Sequence, residues 1–139
     1  MKATLFALFI ALLMVGCGES PNPSESAEMN NTAPKKDAIE TVVDFSKLKN
    51  RNGLKFFLNE NTPFTGKAGL WWQNGQMMSQ GNYNDGKADG LHVSWYENGQ
   101  KESEENYKDG KRDGLWILYN EDGTERGRKT YKDGEGVKD

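Results

Sequence analysis

The sequence predicts an all-β fold, in which β-hairpin repeats with a period of 24 residues stack into an open, elongated antiparallel sheet. Glycines and tyrosines recur at that period without a shift. Apolar and polar residues alternate in the first half of each copy, and polar, glycine-rich turns separate the halves. Four sets recur: Gly66, Gly90 and Gly114 begin the copies; Gly75, Gly99 and Gly123 lie nine residues later; Tyr83, Tyr107 and Tyr131 follow; and Gly86, Gly110 and Gly134 end them.

Residues 1–16 have the pattern of a signal peptide. Lys2 gives a short basic start, and the run from Ala3 to Val15 is almost wholly apolar. As a helix this run would be about 20 Å long, whereas the hydrocarbon core of a bilayer measures about 30 Å. The segment is therefore predicted to be removed rather than to span a membrane.

The run Leu13-Met14-Val15-Gly16-Cys17 resembles the lipobox of bacterial lipoproteins, with Met14 where leucine is usual. The resemblance implies cleavage before Cys17 and lipidation of its thiol, so the membrane becomes a partner through the lipid anchor. Cys17 is the only cysteine, which excludes an intramolecular disulfide. Gly18 stands where aspartate would favour inner-membrane retention, and this implies export to the outer membrane.

Two segments are predicted between the anchor and the repeats. Residues 17–36 are rich in Ser, Pro, Asn and Glu without apolar periodicity, and are expected to form a flexible, disordered tether. Residues 37–65 are expected to form an N-terminal cap hairpin, because Asn52-Gly53 lies between two apolar runs. The alternative for Ile39 to Phe45 is one or two helical turns.

Residues 66–139 hold three repeats, at 66–89, 90–113 and 114–137. A three-residue loop ending at a left-handed Gly99 would pair Trp95 with Lys101, and the turn glycines are Gly75, Gly99 and Gly123. The polar stretch from Lys108 to Gly114 is expected to form the return turn between copies.

This register predicts that Tyr107 lies on the same face as Trp95, because side chains alternate along a strand. The predicted repeat core consists of Leu91, Val93, Trp95, Tyr107, Leu115, Ile117, Tyr119 and Tyr131. One hairpin buries too little apolar surface to fold alone, so neighbouring copies must stack edge to edge. The open sheet edge leaves self-association as an alternative.

Three aromatic residues, Trp72, Tyr96 and Trp116, are predicted to project from the face opposite the repeat core. Contiguous exposed aromatics mark interaction sites, so this row is the candidate binding face for a protein, peptide or sugar chain. The alternative is cross-strand packing that stiffens a thin sheet.

The sequence contains no pattern typical of catalysis, and we expect no enzyme activity, no cofactor and no metal site. The single histidine, His92, lies on the non-core side of a strand and is interpreted as solvated, as are Glu102, Glu104 and Glu105. The Asp-Gly pairs at Asp85, Asp109 and Asp133 are explained by turn geometry. The net charge of −3 argues against a nucleic-acid partner.

The pattern Gly-Leu-x-x-x-Trp/Tyr-x-x-Asn/Asp-Gly, followed by x-Tyr-Lys-Asp-Gly-Lys, resembles the bacterial variant of the MORN repeat. The lead-in Pro63-Phe64-Thr65-Gly66 resembles the YwqK-type, antitoxin-like family. The resemblance implies a non-catalytic recognition or scaffold surface. We therefore expect a lipid-anchored envelope protein with a protein partner; the alternatives are an antitoxin-like or immunity-like inhibitor of a toxin, and a glycan-binding or cell-wall-binding module.

Overall fold

The structure is a computed structural model that describes residues 32–34 and 42–138. The predicted signal peptide, Cys17 and most of the predicted tether lie outside the described residues. The strands are β1 (Val42–Asp44), β2 (Leu48–Arg51), β3 (Leu54–Phe57), β4 (Gly66–Trp71), β5 (Met77–Asn84), β6 (Lys87–Trp95), β7 (Lys101–Lys108), β8 (Lys111–Tyr119), β9 (Glu125–Lys132) and β10 (Glu135–Gly136), with a 3₁₀ turn at Phe45–Lys47.

The main sheet has eight strands in the order β1-β4-β5-β6-β7-β8-β9-β10, and consecutive strands from β4 onward pair as antiparallel hairpins. The predicted all-β, open sheet of stacked hairpins is confirmed. The first strand differs from the expectation, because β1 runs parallel to β4 and places Val43 beside Ala68. No helix in the described part of the chain has the length and apolar character needed to cross a bilayer.

Two kinds of turn alternate along the sheet. Within each hairpin the predicted three-residue loop is confirmed: Trp95 pairs with Lys101, and Gly99 has a φ of 86°. Between hairpins the turn is shorter than expected. Asp109 and Gly110 have φ values of 49° and 84°, which a two-residue type I′ turn requires, so the chain from Lys111 onward already belongs to β8.

A β-bulge near the turn of every hairpin moves the later side chains of the second strand to the face opposite the one that a regular register would give them. Trp95 pairs with Lys101 but Ser94 pairs with Ser103, so Glu102 is an extra residue in β7. Met78 and Arg126 occupy the same position in the first and third hairpins. The prediction that Tyr107 shares a face with Trp95 is therefore wrong.

The sheet consequently has two different faces, each with its own small core. We call one the tyrosine face, because Tyr83, Tyr107 and Tyr131 lie there opposite Gly66, Gly90 and Gly114. The other, the Trp95 face, carries Trp71, Val93, Trp95, Ile117 and Tyr119. The predicted repeat core needs a second correction: Leu91 and Leu115 belong to the Trp95 face but are 43% and 36% exposed.

The N-terminal hairpin covers the first end of the tyrosine face. The predicted turn at Asn52-Gly53 is confirmed, since β2 and β3 pair on either side of it and both residues have positive φ. Leu48 at the start of this hairpin packs with the buried Phe64 and Ala68, next to Tyr83. The cap therefore closes one end of the face and leaves the later copies open.

Residues Thr32–Pro34 cover part of the opposite face. The Ala33 N–H donates to the Gly99 carbonyl and the Met77 N–H donates to the Pro34 carbonyl, both at 2.8 Å. Ala33 is buried with Met77 and Trp95. These three residues lie in the segment predicted to be a tether, and their backbone bonds and the apolar contact of Ala33 hold them against the sheet.

Side chains at the hairpin turns bond each copy to the next. The Trp72 indole N–H donates to the Trp95 carbonyl at 3.1 Å, and the Tyr96 hydroxyl donates to the Tyr119 carbonyl at 2.9 Å. At the other ends of the strands, the Gly110 N–H donates to the Ala88 carbonyl at 2.8 Å, a bond with counterparts in the adjacent copies. The side-chain bonds therefore join neighbouring hairpins at one end of the strands, and the Gly110 bond holds the connecting turn against the first strand of the hairpin that it follows.

Replacing Trp95 tests whether stability is shared between copies. Trp95 is 7% exposed, so Trp95→Ala should lower the free energy of unfolding by about 3 to 5 kcal/mol. Hydrogen exchange should accelerate in all three hairpins, since an isolated hairpin is not stable. Leu91→Ala, on the same strand and face but exposed, is the matched control and should cost less than about 1.5 kcal/mol. Exchange that accelerates in the middle hairpin alone would contradict shared stability.

Candidate functional site

A line of ring systems crosses the tyrosine face from the cap toward β7. The ring centroids of Phe45 and Tyr83 lie 5.8 Å apart, those of Tyr83 and His92 5.2 Å, and those of His92 and Tyr107 4.7 Å. Such edge and tilted contacts stabilise aromatic pairs beyond the area that they bury. The rings therefore form one packed wall, in which strand pairing positions Tyr83, His92 and Tyr107 and the 3₁₀ turn adds Phe45.

The positions beside these rings carry small residues, which leaves an open pocket of about 240 Å³. Its floor is formed by Ser79, Gly81, Ser94 and Ser103. The hydroxyls of Ser94 and Ser103 face each other across the strands at 2.8 Å. A second pocket of about 260 Å³ follows on the same face, lined by Trp116, Leu118, Gly127, Arg128, Lys129 and Tyr131. We call the two pockets together the groove.

Charged groups lie at the boundary between the two pockets. The Tyr107 hydroxyl donates to the Glu105 carboxylate at 2.7 Å, and the Arg112 guanidinium lies 3.5 Å from the same carboxylate. Burial raises the pKa of Tyr107, and its hydrogen bond to Glu105 raises it further. Arg112 also stacks 4.0 Å above the Trp116 ring. Tyr107 therefore stays a protonated donor, and Arg112 links the two pockets.

His92 is part of the groove, not the solvated side chain that the sequence predicted. Its Nε2–H donates to the Asn82 carbonyl at 3.0 Å, because a carbonyl oxygen only accepts. The ring lies directly over Gly81, where an added Cβ would come within 2.3 Å of it. Burial lowers the pKa of His92 below its ordinary value of 6.5. The ring is thus held neutral between two tyrosines.

The predicted binding row of Trp72, Tyr96 and Trp116 does not exist as one surface. Trp72 and Tyr96 lie just after their strands and bond to the next hairpin, so they are stacking groups at the turns. Trp116 lies in the middle of β8, on the tyrosine face, with its ring centroid 5.5 Å from that of Tyr131. The positions equivalent to Trp116 in the other copies are Ala68 and His92.

Most of the groove is therefore not predicted by the sequence, including the roles of Tyr83, His92, Glu105 and Lys129. The bulge is the reason, since a shift of one residue moves every later side chain of that strand to the other face. One signal was present in the sequence: a glycine and a tyrosine keep a spacing of 17 residues in all three copies, as in Gly90 and Tyr107, which pair directly. Among the described residues, no group of three or more His, Cys, Asp or Glu side chains is arranged to hold a metal ion.

His92 should make stability depend on pH. Because burial lowers its pKa in the folded state, the unfolded chain binds its proton first. The melting temperature should therefore fall as the pH drops below about 6.5, and His92→Phe, which keeps a ring but cannot be protonated, should lose that part of the slope. His92 is the only histidine, so thermal melts between about pH 7.5 and 5.5 isolate it. Parallel curves for the two proteins would contradict the assignment.

Comparison with known proteins agrees with the hairpin boundaries. Residues 65–85 and 88–109 match the family described as the MORN repeat variant. These stretches coincide with hairpins β4–β5 and β6–β7, and β8–β9 repeats their register outside the match. No curated protein and no solved structure matches the chain. The first and second hairpins are thus similar to MORN repeats, which is consistent with a protein-binding or membrane-binding module.

Proposed function

We propose that this chain is a non-catalytic, lipid-anchored protein of the bacterial cell envelope that binds a protein partner in the groove of the tyrosine face. The observation that supports the proposal is the pair of aligned pockets on a rigid, aromatic-walled surface. Fixed aromatic side chains supply contact area at little entropic cost, and they are enriched among the residues that dominate binding energy.

The size of the pockets favours a chain over a single small molecule. Pockets for drug-sized ligands usually enclose about 300 to 1,000 Å³ and bury most of the ligand. The two pockets here measure about 240 and 260 Å³ and are open along one side. Each suits one or two side chains, and their alignment suits an extended segment of a partner that lies across the strands.

The anchor places the binding module at a membrane. Cys17 follows an apolar run and a small residue, and a lipid on its thiol holds the protein in the envelope, at the outer membrane. The binding activity then belongs to the hairpins, whereas the N-terminal segment determines location. The two roles are therefore separable by substitution.

Lipidation has a direct test. Cys17→Ser should remove the acceptor thiol, so the variant should remain an uncleaved precursor and take up no labelled palmitate, while the wild type is labelled. Equal labelling of the two proteins would contradict a lipid anchor at Cys17.

Binding in the groove is tested with a photo-crosslinking side chain at two neighbouring places. A crosslinker at Leu118 lies in the groove, and one at Leu115 lies on the Trp95 face of the same strand. In intact envelopes the Leu118 position should capture a discrete protein, and Trp116→Ser in the same chain should reduce that capture at a temperature at which the variant is still folded. Capture from Leu115 alone, or from neither position, would contradict a protein site in the groove.

A further inference from the structure

The groove changes its chemistry from one copy to the next, although the backbone register is the same. Around the first pocket the floor is polar and the carboxylate of Glu105 is present. At the equivalent positions of the third copy the residues are apolar or basic. The changes are His92 to Trp116, Ser94 to Leu118, Ser103 to Gly127, and Glu105 to Lys129.

The charges of β7 and β9 are likewise reversed. In β7 the segment from Lys101 to Glu105 carries one lysine and three glutamates, whereas in β9 the segment from Glu125 to Lys129 carries one glutamate, two arginines and one lysine. Of these β9 cations, Lys129 lies on the tyrosine face, because it pairs with Trp116. The Arg128 guanidinium instead pairs with Glu125.

Lys129 keeps its charge available to a ligand. Its ammonium lies 5.5 Å from the Tyr131 ring centroid, and it forms no ion pair with another described residue. Glu105 differs, since its carboxylate already accepts from Tyr107 and faces Arg112. Lys129 therefore gives the second pocket a positive charge at the rim of an apolar interior, whereas Arg112, which stacks on Trp116, is engaged with Glu105.

We propose that the third-copy end of the groove selects an acidic peptide segment: an apolar side chain enters the pocket beside Trp116, and an adjacent carboxylate pairs with Lys129. This inference rests on the proposed protein-binding function and specifies its partner. A carboxylate next to an aromatic-walled apolar pocket meets both requirements of the site, because charge complementarity fixes orientation and the buried apolar group supplies affinity.

The remainder of the segment then runs across the strands toward the cap. Neighbouring strands lie about 4.8 Å apart, so the two pockets are separated by about 10 to 12 Å, or three to four residues of extended chain. There the Ser94 and Ser103 hydroxyls and the neutral His92 ring face the ligand. Uncharged polar or aromatic side chains fit this end, because Glu105 is already neutralised by Arg112.

The test uses the full chain and a random peptide library displayed on phage, with the melting temperature of each variant as a check on folding. The sequences selected by the wild type should be enriched in Asp or Glu next to a large apolar residue. A synthetic peptide from that pool should bind Lys129→Glu about tenfold more weakly. Lys67→Glu makes the same change of net charge on the opposite face and should bind the peptide as the wild type does.

The outcomes separate this inference from the function on which it rests. Selected peptides without an acidic bias, whose binding is still lost in Trp116→Ser, would overturn the acidic preference and leave groove binding intact. If no peptide is enriched in a way that depends on Trp116, the acidic preference and groove binding are both contradicted. Binding to phosphatidylglycerol vesicles that Lys129→Glu abolishes, without peptide enrichment, would assign the cations to a lipid surface and overturn the proposal.

Discussion

The extra residue near the turn of each hairpin is the constraint on which the remaining structure depends. In a strand the side chains alternate, so the bulge at Glu102 lets one hairpin send Trp95 to one face and Tyr107 to the other. A regular register would place both rings on one side and remove the tyrosines from the other. With the bulge, a single layer acquires two thin cores, one covered by the cap hairpin and one by Thr32–Pro34. The groove is the part of the tyrosine face that the cap leaves uncovered.

The bonds between hairpins account for aromatic residues that otherwise resemble a recognition surface. Trp72 and Tyr96 each donate to a carbonyl 23 residues further on, so each fixes the next hairpin in place. The equivalent residue in the third copy is Asn120, whose amide instead donates to the Thr124 hydroxyl. Exposure to solvent alone does not distinguish a stacking group from a binding group in a repeat protein.

The features predicted from the sequence are those set by local chemistry. A left-handed Gly99, the Asn52-Gly53 turn and the alternation along β6 each depend on a few neighbouring residues, and each is confirmed. The bulge was missed because Met78, Glu102 and Arg126 share no chemical property that would mark an extra residue. The parallel pairing of β1 and the packing of Thr32–Pro34 depend on contacts distant in sequence. Most of the groove was not predicted for the same reason, because without the bulge the later residues of each second strand are assigned to the wrong face.

The groove combines a constant frame with variable pairs. Tyr107 and the equivalent tyrosines pair with a glycine on the neighbouring strand in every copy. The position of His92, by contrast, holds alanine in the first copy and tryptophan in the third. Its cross-strand partner varies with it: Gly81 lies under His92, where a Cβ would collide with the ring, and Glu105 lies beside Trp116. Each such pair changes the size and charge of one pocket while turns, bulges and backbone bonds stay the same. Exchange of one such pair therefore alters a pocket at little cost to folding, and the polar first pocket and the basic second pocket of this groove differ in these pairs on one backbone frame.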